Sequence, residues 1–270
     1  MQSPEDHSEM PGSSSKSNEY ADLERELPSR KELSLKDKEA PELREMLMSF
    51  GGEWSEAERQ LVQDASDLAS YLHKDDKYKG GPYELHVLRV ANRVAGHLEW
   101  PNPNIVIAAL MHDSVEDHAE ALATILGQEV EGASELDLQH LALETIAQRF
   151  TPEAAEIVNS VTNPPNLMGK GSDEHRIERY VNKVEHAVET PEAWGVKFCD
   201  WCDNALGAEF SEDAPGSAPA IWRRKKYGRV VPIFEQRYQQ PDLQSQLSPS
   251  AKQYVEQQFG FGHERLQLAV

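Results

Sequence analysis

Apolar residues recur at helical spacing along most of this chain. Ser55 and Glu58 form the pattern of a capping box ahead of an apolar stripe, which predicts a helix there. Residues 105–111 are apolar almost all round, which indicates a central buried helix that Asn104 would cap. The pattern also predicts helices over 41–48, 136–149, 152–161, 174–189, 191–207 and 220–240, the last kinked at Pro232.

Period-2 alternation, the mark of strands, is scarce, so the predicted fold class is all-α. Residues 1–20 are rich in Ser, Pro, Glu and Asp, and from Tyr20 to Leu35 the charges alternate in sign, which fits a peripheral helix or a continuation of the tail. We therefore expect a disordered or weakly ordered acidic tail over residues 1–40. The predicted helical domain spans residues 41–245. Residues 246–270 are expected to form a C-terminal tail or a peripheral helix.

The charge balance narrows the classes of partner. With 27 basic and 47 acidic residues, the net charge is −20, which argues against binding to nucleic-acid polymers or anionic membranes. A small anionic substrate fits if a cation offsets this charge, and an oligomer is compatible with the composition. We expect a cytoplasmic protein, because the sequence has neither a signal-peptide pattern nor an apolar run of about 20 residues.

The chemistry-bearing residues begin with His112-Asp113-Ser114-Val115-Glu116-Asp117. On a continuous helix, Glu116 would neighbour His112, and Asp113 would neighbour both Glu116 and Asp117. Ionisable groups at the end of an apolar helix need partners or a metal ion if they are buried. A solvated helix end is the alternative interpretation.

Two distant positions could complete a metal site. His86 begins an amphipathic helix, and Asp200 lies among Phe198, Cys199 and Trp201, where a carboxylate needs a partner. Two imidazoles and two carboxylates form a mixed set that suits Mn²⁺, Fe²⁺ or Zn²⁺. The alternative for His86 is packing beside Tyr83. Cys199 and Cys202 are best explained as core residues rather than half a zinc site.

Four motifs together resemble the HD hydrolase domain of the RelA/SpoT homologue family, most of all its small single-domain alarmone hydrolases. They are Pro-Tyr-x-x-His at 82–86, Ala-Ala-Leu-x-His-Asp-x-x-Glu-Asp at 108–117, Val-Thr at 161–162 and Lys-x-x-Asp-x-x-Asp-Asn at 197–204. The resemblance covers about residues 55–240 and implies the helical HD fold.

The resemblance also implies roles for individual residues. It makes His86, His112, Asp113 and Asp200 the ligands of one Mn²⁺ ion, with Fe²⁺ and Zn²⁺ as alternatives. Glu116 and Asp117 would handle the attacking water, and Asn204 would lie beside the substrate. Further substrate contacts are expected from the Pro-Tyr motif, from the segment just before it and from the helix at 174–189. These residues are Lys74, Lys79, Tyr83 and Arg179.

The sequence departs from the family in two places. Where a basic run is expected before Pro-Tyr, residues 73–79 include Asp75 and Asp76, with Lys74, Lys77 and Lys79 as the remaining cations. Residues 118–150 form a longer, acidic connection, which we interpret as a solvated surface. The basic cluster at 223–229 is interpreted as a solvated face, with phosphate contacts as the alternative.

The sequence therefore predicts a metal-dependent phosphohydrolase. By resemblance, the reaction is removal of 3′-pyrophosphate from a guanosine alarmone. One rival is an HD-type nucleotidase or phosphatase that acts on a deoxynucleotide or NADPH. The other is a catalytically silent, nucleotide-sensing HD domain, against which the intact Glu116 and Asp117 argue.

Overall fold

The computed structural model describes residue 35 and residues 37–78, 81–165, 171–205 and 217–266. Nearly all ordered elements in these ranges are helices, which confirms the predicted all-α class. Residues from Glu39 onward form one compact unit, while 1–34 and 36 of the predicted tail lie outside the described residues. The elements are α1 Ala40–Phe50, α2 Glu56–Leu72, β1 Lys77–Tyr78, β2 Gly81–Pro82, α3 Glu84–Asn92 followed by a π-helical turn Arg93–His97, α4 Pro103–Met111, α5 Ser114–Asp117, α6 Ala119–Ile125, α7 Glu135–Arg149, α8 Pro152–Val161, α9 Asp173–Ala187, α10 Pro191–Ala205, α11 Ala218–Gly228, α12 Val231–Tyr238, α13 Pro241–Gln244 and α14 Pro249–Leu266.

Helix starts follow local hydrogen bonding. The Ser55 capping box is confirmed, with Glu58 N–H donating to Ser55 Oγ over 3.3 Å and Ser55 N–H donating to Glu58 Oε2 over 2.8 Å. The cap of α4 is Asn102 rather than Asn104, since Asn104 N–H donates to Asn102 Oδ1 over 2.9 Å. Pro103 occupies the first helical position there, where the missing N–H costs nothing.

The prediction of one helix over 220–240, kinked at Pro232, is wrong because the chain forms two helices there. α11 ends at Gly228 and α12 begins at Val231, so the break precedes Pro232 instead of kinking a continuous helix. Pro232 lies in the first turn of α12, where its fixed φ favours helix initiation.

The central buried helix is α4, as predicted. All residues from Ile105 to Met111 are buried, and α2, α3, α8 and α10 pack around it. Its C-terminal end delivers His112 and Asp113 into the interior of the helical unit. β1 and β2 form a two-residue antiparallel pair just before α3.

α10 is buried along most of its length and carries the last motif. Trp194, Phe198 and Trp201 stack within it, and Phe234 of α12 and Phe259 of α14 pack against Phe198. This aromatic packing holds the polar residues of α10 in the interior. Cys199 and Cys202 are both buried in the same helix.

The C-terminal stretch contains α14, whose residues Ala251, Tyr254, Val255 and Phe259 are buried. The long connection at 118–150 folds as α6 and α7, which pack on each other. Its six acidic residues are all exposed, as expected of a solvated surface: Glu120, Glu129, Glu131, Glu135, Asp137 and Glu144. Among the described helices, none has the length and apolar character that a membrane span requires.

Candidate metal centre

Four predicted ligand side chains from three separate segments converge. His112 Nε2 lies 3.0 Å from Asp113 Oδ2 and 3.6 Å from Asp200 Oδ1. His86 Nε2 lies 3.5 Å from Asp113 Oδ2 and 3.4 Å from Asp200 Oδ1. Ligand atoms bound about 2.1 Å from one ion at angles of about 90–110° lie roughly 3.0–3.4 Å apart, so this spacing fits a shared cation.

The orientation of the two imidazoles supports the same interpretation. His86 Nδ1 lies 2.8 Å from Asp203 Oδ2, and His112 Nδ1 lies 2.8 Å from the carbonyl oxygen of Ala109. Both oxygens act as acceptors, so each Nδ1 carries a hydrogen, and in the neutral ring each Nε2 then presents a lone pair. The two Nε2 atoms are buried without a hydrogen-bond partner among the described residues, an arrangement that a metal ion would satisfy.

Asp203 bonds to one of the predicted ligands, His86, although no role was predicted for it. Its carboxylate accepts from Arg89 Nε over 2.8 Å and from Arg93 over 2.7 Å, in addition to holding His86. Burial alone would raise its pKa, but the charges of Arg89 and Arg93 hold the pKa of Asp203 well below its usual range. A charged Asp203 fixes the ring of His86, and its place in the Lys-x-x-Asp-x-x-Asp motif was the available signal.

Asp200 is held by neighbours on its own helix. Lys197 Nζ lies 3.0 Å from Asp200 Oδ2, and Asn204 Nδ2 donates to Asp200 Oδ1. Against the effect of burial, the Lys197 charge lowers the pKa of Asp200 well below its usual range. Tyr78 donates to Asn204 Oδ1 over 3.1 Å and stacks on His86 at a ring separation of 4.4 Å. Asn204, predicted as a substrate contact, therefore bonds directly to a predicted ligand.

Tyr83 is a second predicted substrate contact that bonds to a predicted ligand. Its hydroxyl donates to Asp113 Oδ2 over 2.6 Å. Its ring stacks on His73 with a centroid separation of 4.5 Å. Tyr83 therefore orients the Asp113 carboxylate.

Glu116 and Asp117 lie beside this centre, but not on the continuous helix that the sequence suggested. α4 ends at Met111, and the short helix α5 starts at Ser114, so the expected neighbour relation of His112 and Glu116 on one helix face is wrong. The intervening turn carries His112 and Asp113, and it lets both of these consecutive side chains face the centre.

The carboxylate of Glu116 is held in place by Asn163. Asn163 donates from its backbone N–H over 3.1 Å and from Nδ2 over 2.8 Å to Glu116. Crowding by protein and the negative charge of Asp113 raise the pKa of Glu116. Burial together with Asp113 and Glu116 raises the pKa of Asp117 to about 7. These shifts reflect a concentration of carboxylates in one place.

Lysines that are buried or half-buried form a cationic counterpart to the carboxylates. Lys226 lies over the ring of Tyr180 at 4.2 Å and over that of Tyr227 at 5.0 Å. Burial and the nearby charge of Lys197 lower the pKa of Lys226 to about 8. Lys183 Nζ donates to the Ser160 carbonyl oxygen over 3.2 Å. Within the basic cluster at 223–229, Lys226 thus turns inward, while Arg224, Lys225 and Arg229 are exposed.

The other predicted substrate contacts are placed less centrally. Lys74 is exposed and lies over the ring of Tyr71 at 4.6 Å. Lys79 lies outside the described residues. Arg179 is half-buried on α9, and its guanidinium approaches Gly171.

No protein-family model and no curated protein sequence matches this chain. Its structure is similar to that of a metazoan orthologue of SpoT, which hydrolyses ppGpp and plays a role in starvation responses. The two chains share a fold. The match has a TM-score of 0.50 and 17% sequence identity, and covers 77% of this chain and 96% of that chain. At this identity the likeness shows the fold that the motifs predicted.

Proposed function

We propose that this protein is a metal-dependent phosphohydrolase that removes pyrophosphate from the 3′ position of a guanosine tetra- or pentaphosphate. The observation that carries the proposal is the pair of buried Nε2 atoms of His86 and His112, which face two carboxylates and have no hydrogen-bond partner in the part of the chain that the structure describes. The activity of the SpoT orthologue with the similar fold supports the choice of substrate.

We propose Mn²⁺ as the bound ion, with Fe²⁺ and Zn²⁺ as alternatives. The residues that would hold it are His86, His112, Asp113 and Asp200, a mixed nitrogen and oxygen set that leaves positions open for water and substrate. A divalent ion bound there would polarise a phosphoryl oxygen and make a bound water more acidic.

Glu116 and Asp117 are the proposed catalytic residues. Asn163 holds the Glu116 carboxylate at 2.8 Å, so this group is oriented before substrate arrives. One of the two carboxylates would orient the attacking water and accept its proton. Each carboxylate affects the ionisation of the other, so we propose that the pair acts as one proton-accepting unit.

Substrate binding is assigned to groups around these carboxylates. Asn204 and Tyr83 are proposed to lie beside the substrate, because each bonds to a carboxylate of the centre. Lys74, Lys79 and Arg179 are proposed as outer phosphate contacts. Lys226 is added to this set, because this half-buried lysine lies within electrostatic reach of Asp200 and Glu116.

At the level of the whole chain, we propose that residues 41–245 form the hydrolase domain and that the protein acts in the cytoplasm on a small nucleotide. The net charge of −20 supports a small substrate over a nucleic-acid polymer.

Nucleotide assays with the purified full-length protein test the function. With Mn²⁺ present, we expect pyrophosphate release from ppGpp, and loss of this activity in His86→Ala but not in His140→Ala, a histidine exposed on α7. Phosphate release from deoxynucleotides or NADPH alone would replace the alarmone assignment with the broader nucleotidase. Tight nucleotide binding without turnover, in metal-replete protein, would instead identify a silent sensing domain.

A further inference from the structure

A second cluster of metal-binding side chains lies next to the first centre and shares no residue with it. Asp76 Oδ2 lies 2.8 Å from His73 Nδ1 and 2.7 Å from His118 Nε2. The two ring nitrogens are 3.1 Å apart. Three donor atoms, two from the turn that follows α2 and one from the α5–α6 junction, therefore form one small triangle.

The triangle has the dimensions of one face of a coordination sphere. Donors about 2.0–2.1 Å from an ion and about 90° apart are separated by roughly 2.8–3.0 Å, close to the observed edges. Without an ion, two imidazole nitrogens crowd the same carboxylate oxygen, and the tautomers of the rings decide which nitrogen carries a hydrogen.

The cluster is open on one side. The His73 side chain is fully buried, whereas the side chains of His118 and Asp76 are 21% and 37% exposed. Two histidines and one carboxylate on a single face leave further coordination positions for water or an anion. Those positions would face the solvent from which substrate arrives.

Tyr83 links the cluster to the first centre. Tyr83 stacks on His73 and donates to Asp113 over 2.6 Å. His118 directly follows the proposed catalytic Asp117 in the chain. An ion held by these three side chains would therefore lie beside the reacting groups.

The local charge points to a role for such an ion. The family resemblance leads us to expect cations for a polyanionic substrate in the segment that holds Asp75 and Asp76, and Asp75 and Lys74 are both exposed there. We propose that His73, Asp76 and His118 bind a second divalent transition-metal ion, which contacts a phosphate group of the substrate. The ion site stands on the geometry alone, whereas the phosphate contact rests on the proposed function.

Counting metal ions tests the site without any nucleotide. Full-length protein is stripped with a chelator, titrated with Mn²⁺ or Co²⁺ alone, and analysed for metal per chain. We expect two ions in the wild type and in His140→Ala, and one ion in either His86→Ala or His118→Ala. Asp76→Asn, which preserves side-chain volume, should lose the same ion as His118→Ala, and circular dichroism checks that each variant folds.

A wild-type protein that binds one ion, lost in His86→Ala and unchanged in His118→Ala, would overturn the second site and leave the proposed function standing. Two bound ions in a protein that turns over no nucleotide would support the second site and overturn the proposed function. For the phosphate contact, inorganic pyrophosphate should bind Mn²⁺-loaded His118→Ala more weakly than Mn²⁺-loaded His140→Ala. Equal affinities would remove that role.

Discussion

At the scale of single residues, the orientation of His86 depends on the side chains that bond to its ring. His86 and Asp200 were recognisable as donors because their types recur in a motif with other donors. What turns His86 towards the centre is Asp203, which lies 2.8 Å from its Nδ1 and is itself held by two arginines. Nothing in the local sequence distinguishes a carboxylate that binds an ion from one that positions a ligand.

Glu116→Gln should keep the bound ion and lose activity. The amide preserves the size of the side chain but cannot accept the proton of the attacking water, so we expect kcat to fall by about 100-fold or more. Metal content and turnover are measured on the same preparation, with Glu120→Gln, an exposed residue of α6, as control. Normal turnover by Glu116→Gln would remove Glu116 from the mechanism.

Asp203→Asn should weaken the metal centre indirectly. Removal of an outer hydrogen-bond partner of a histidine ligand typically costs about 10–100-fold in metal affinity. Leaving the buried Arg93 without its anionic partner should also lower the free energy of unfolding by about 3–5 kcal/mol. Mn²⁺ titration and urea denaturation measure the two effects.

The matched control for Asp203→Asn is Asp242→Asn. Asp242 also accepts two bonds from one arginine, Arg237, but it is exposed at the surface. Little change in either measurement is expected there. If both variants behave alike, Asp203 has no special role in positioning His86.

Lys226 should make stability depend on pH. Its folded pKa of about 8 lies below the ordinary value of 10.5, so between these two values the unfolded chain binds more protons. Stability therefore rises as pH increases through this window, because the cost of burying the charge disappears. Urea denaturation at pH 7.5 and 9.5 should show a smaller rise in Lys226→Met than in the wild type. Lys225→Met, an exposed neighbour, should retain the full rise.

At the scale of elements, helix caps and apolar stripes could be predicted from the sequence, whereas helix breaks within polar segments could not. The Ser55 capping box is local hydrogen-bond chemistry and was predicted correctly. The interruption between Met111 and Ser114 has no glycine or proline to signal it. Consecutive residues of a regular helix point about 100° apart, so this break is what directs both His112 and Asp113 at one point.

Close packing on α10 gives a prediction at this scale. A Cβ at Gly195 would lie 2.5 Å from the ring of Trp100, whereas a Cβ at Gly260 of α14 would meet nothing within 4 Å. Gly195→Ala should therefore destabilise the protein by about 1–3 kcal/mol through overpacking. Gly260→Ala should stabilise it by about 0.5–1 kcal/mol, because alanine favours the helix.

Urea denaturation of both glycine variants measures these effects. Metal affinity should also fall in Gly195→Ala, since α10 carries Asp200 and Asp203. Equal, stabilising effects of the two substitutions would show that α10 can move away from Trp100 at no cost.

At the scale of the whole molecule, the centre exists only in the folded chain. Its donors lie at the start of α3, after α4 and within α10, so unfolding separates them. An ion that binds only the folded state stabilises it, by about 2.7 kcal/mol at 100 times its dissociation constant. We expect Tm to rise when Mn²⁺ is added to chelator-treated protein.

The metal-dependent rise in Tm has its own control. The shift should be smaller in His86→Ala than in the wild type, and unchanged in His140→Ala. Thermal unfolding followed by circular dichroism measures it. A wild-type Tm that does not respond to Mn²⁺ would contradict the convergence of the donors on one ion.

The sequence by itself determined the helical class, the burial of residues 105–111, and the identity of the predicted donors. These features depend on side-chain type and on spacing within a few residues, which are local properties. Their meeting point was visible only through a family resemblance, because no local rule brings residues 86, 112 and 200 together.

The tertiary structure alone decided the orientation of the donors and the existence of the second cluster. Asp203, Arg89 and Arg93 meet because α3 packs against α10, and the widened π-helical turn begins at Arg93. His73 stacks on Tyr83 and meets the ring of His118 edge-on, which brings together side chains that lie far apart in the chain. Contacts between residues distant in the chain depend on how whole helices pack, and that packing is a property of all the side chains at once.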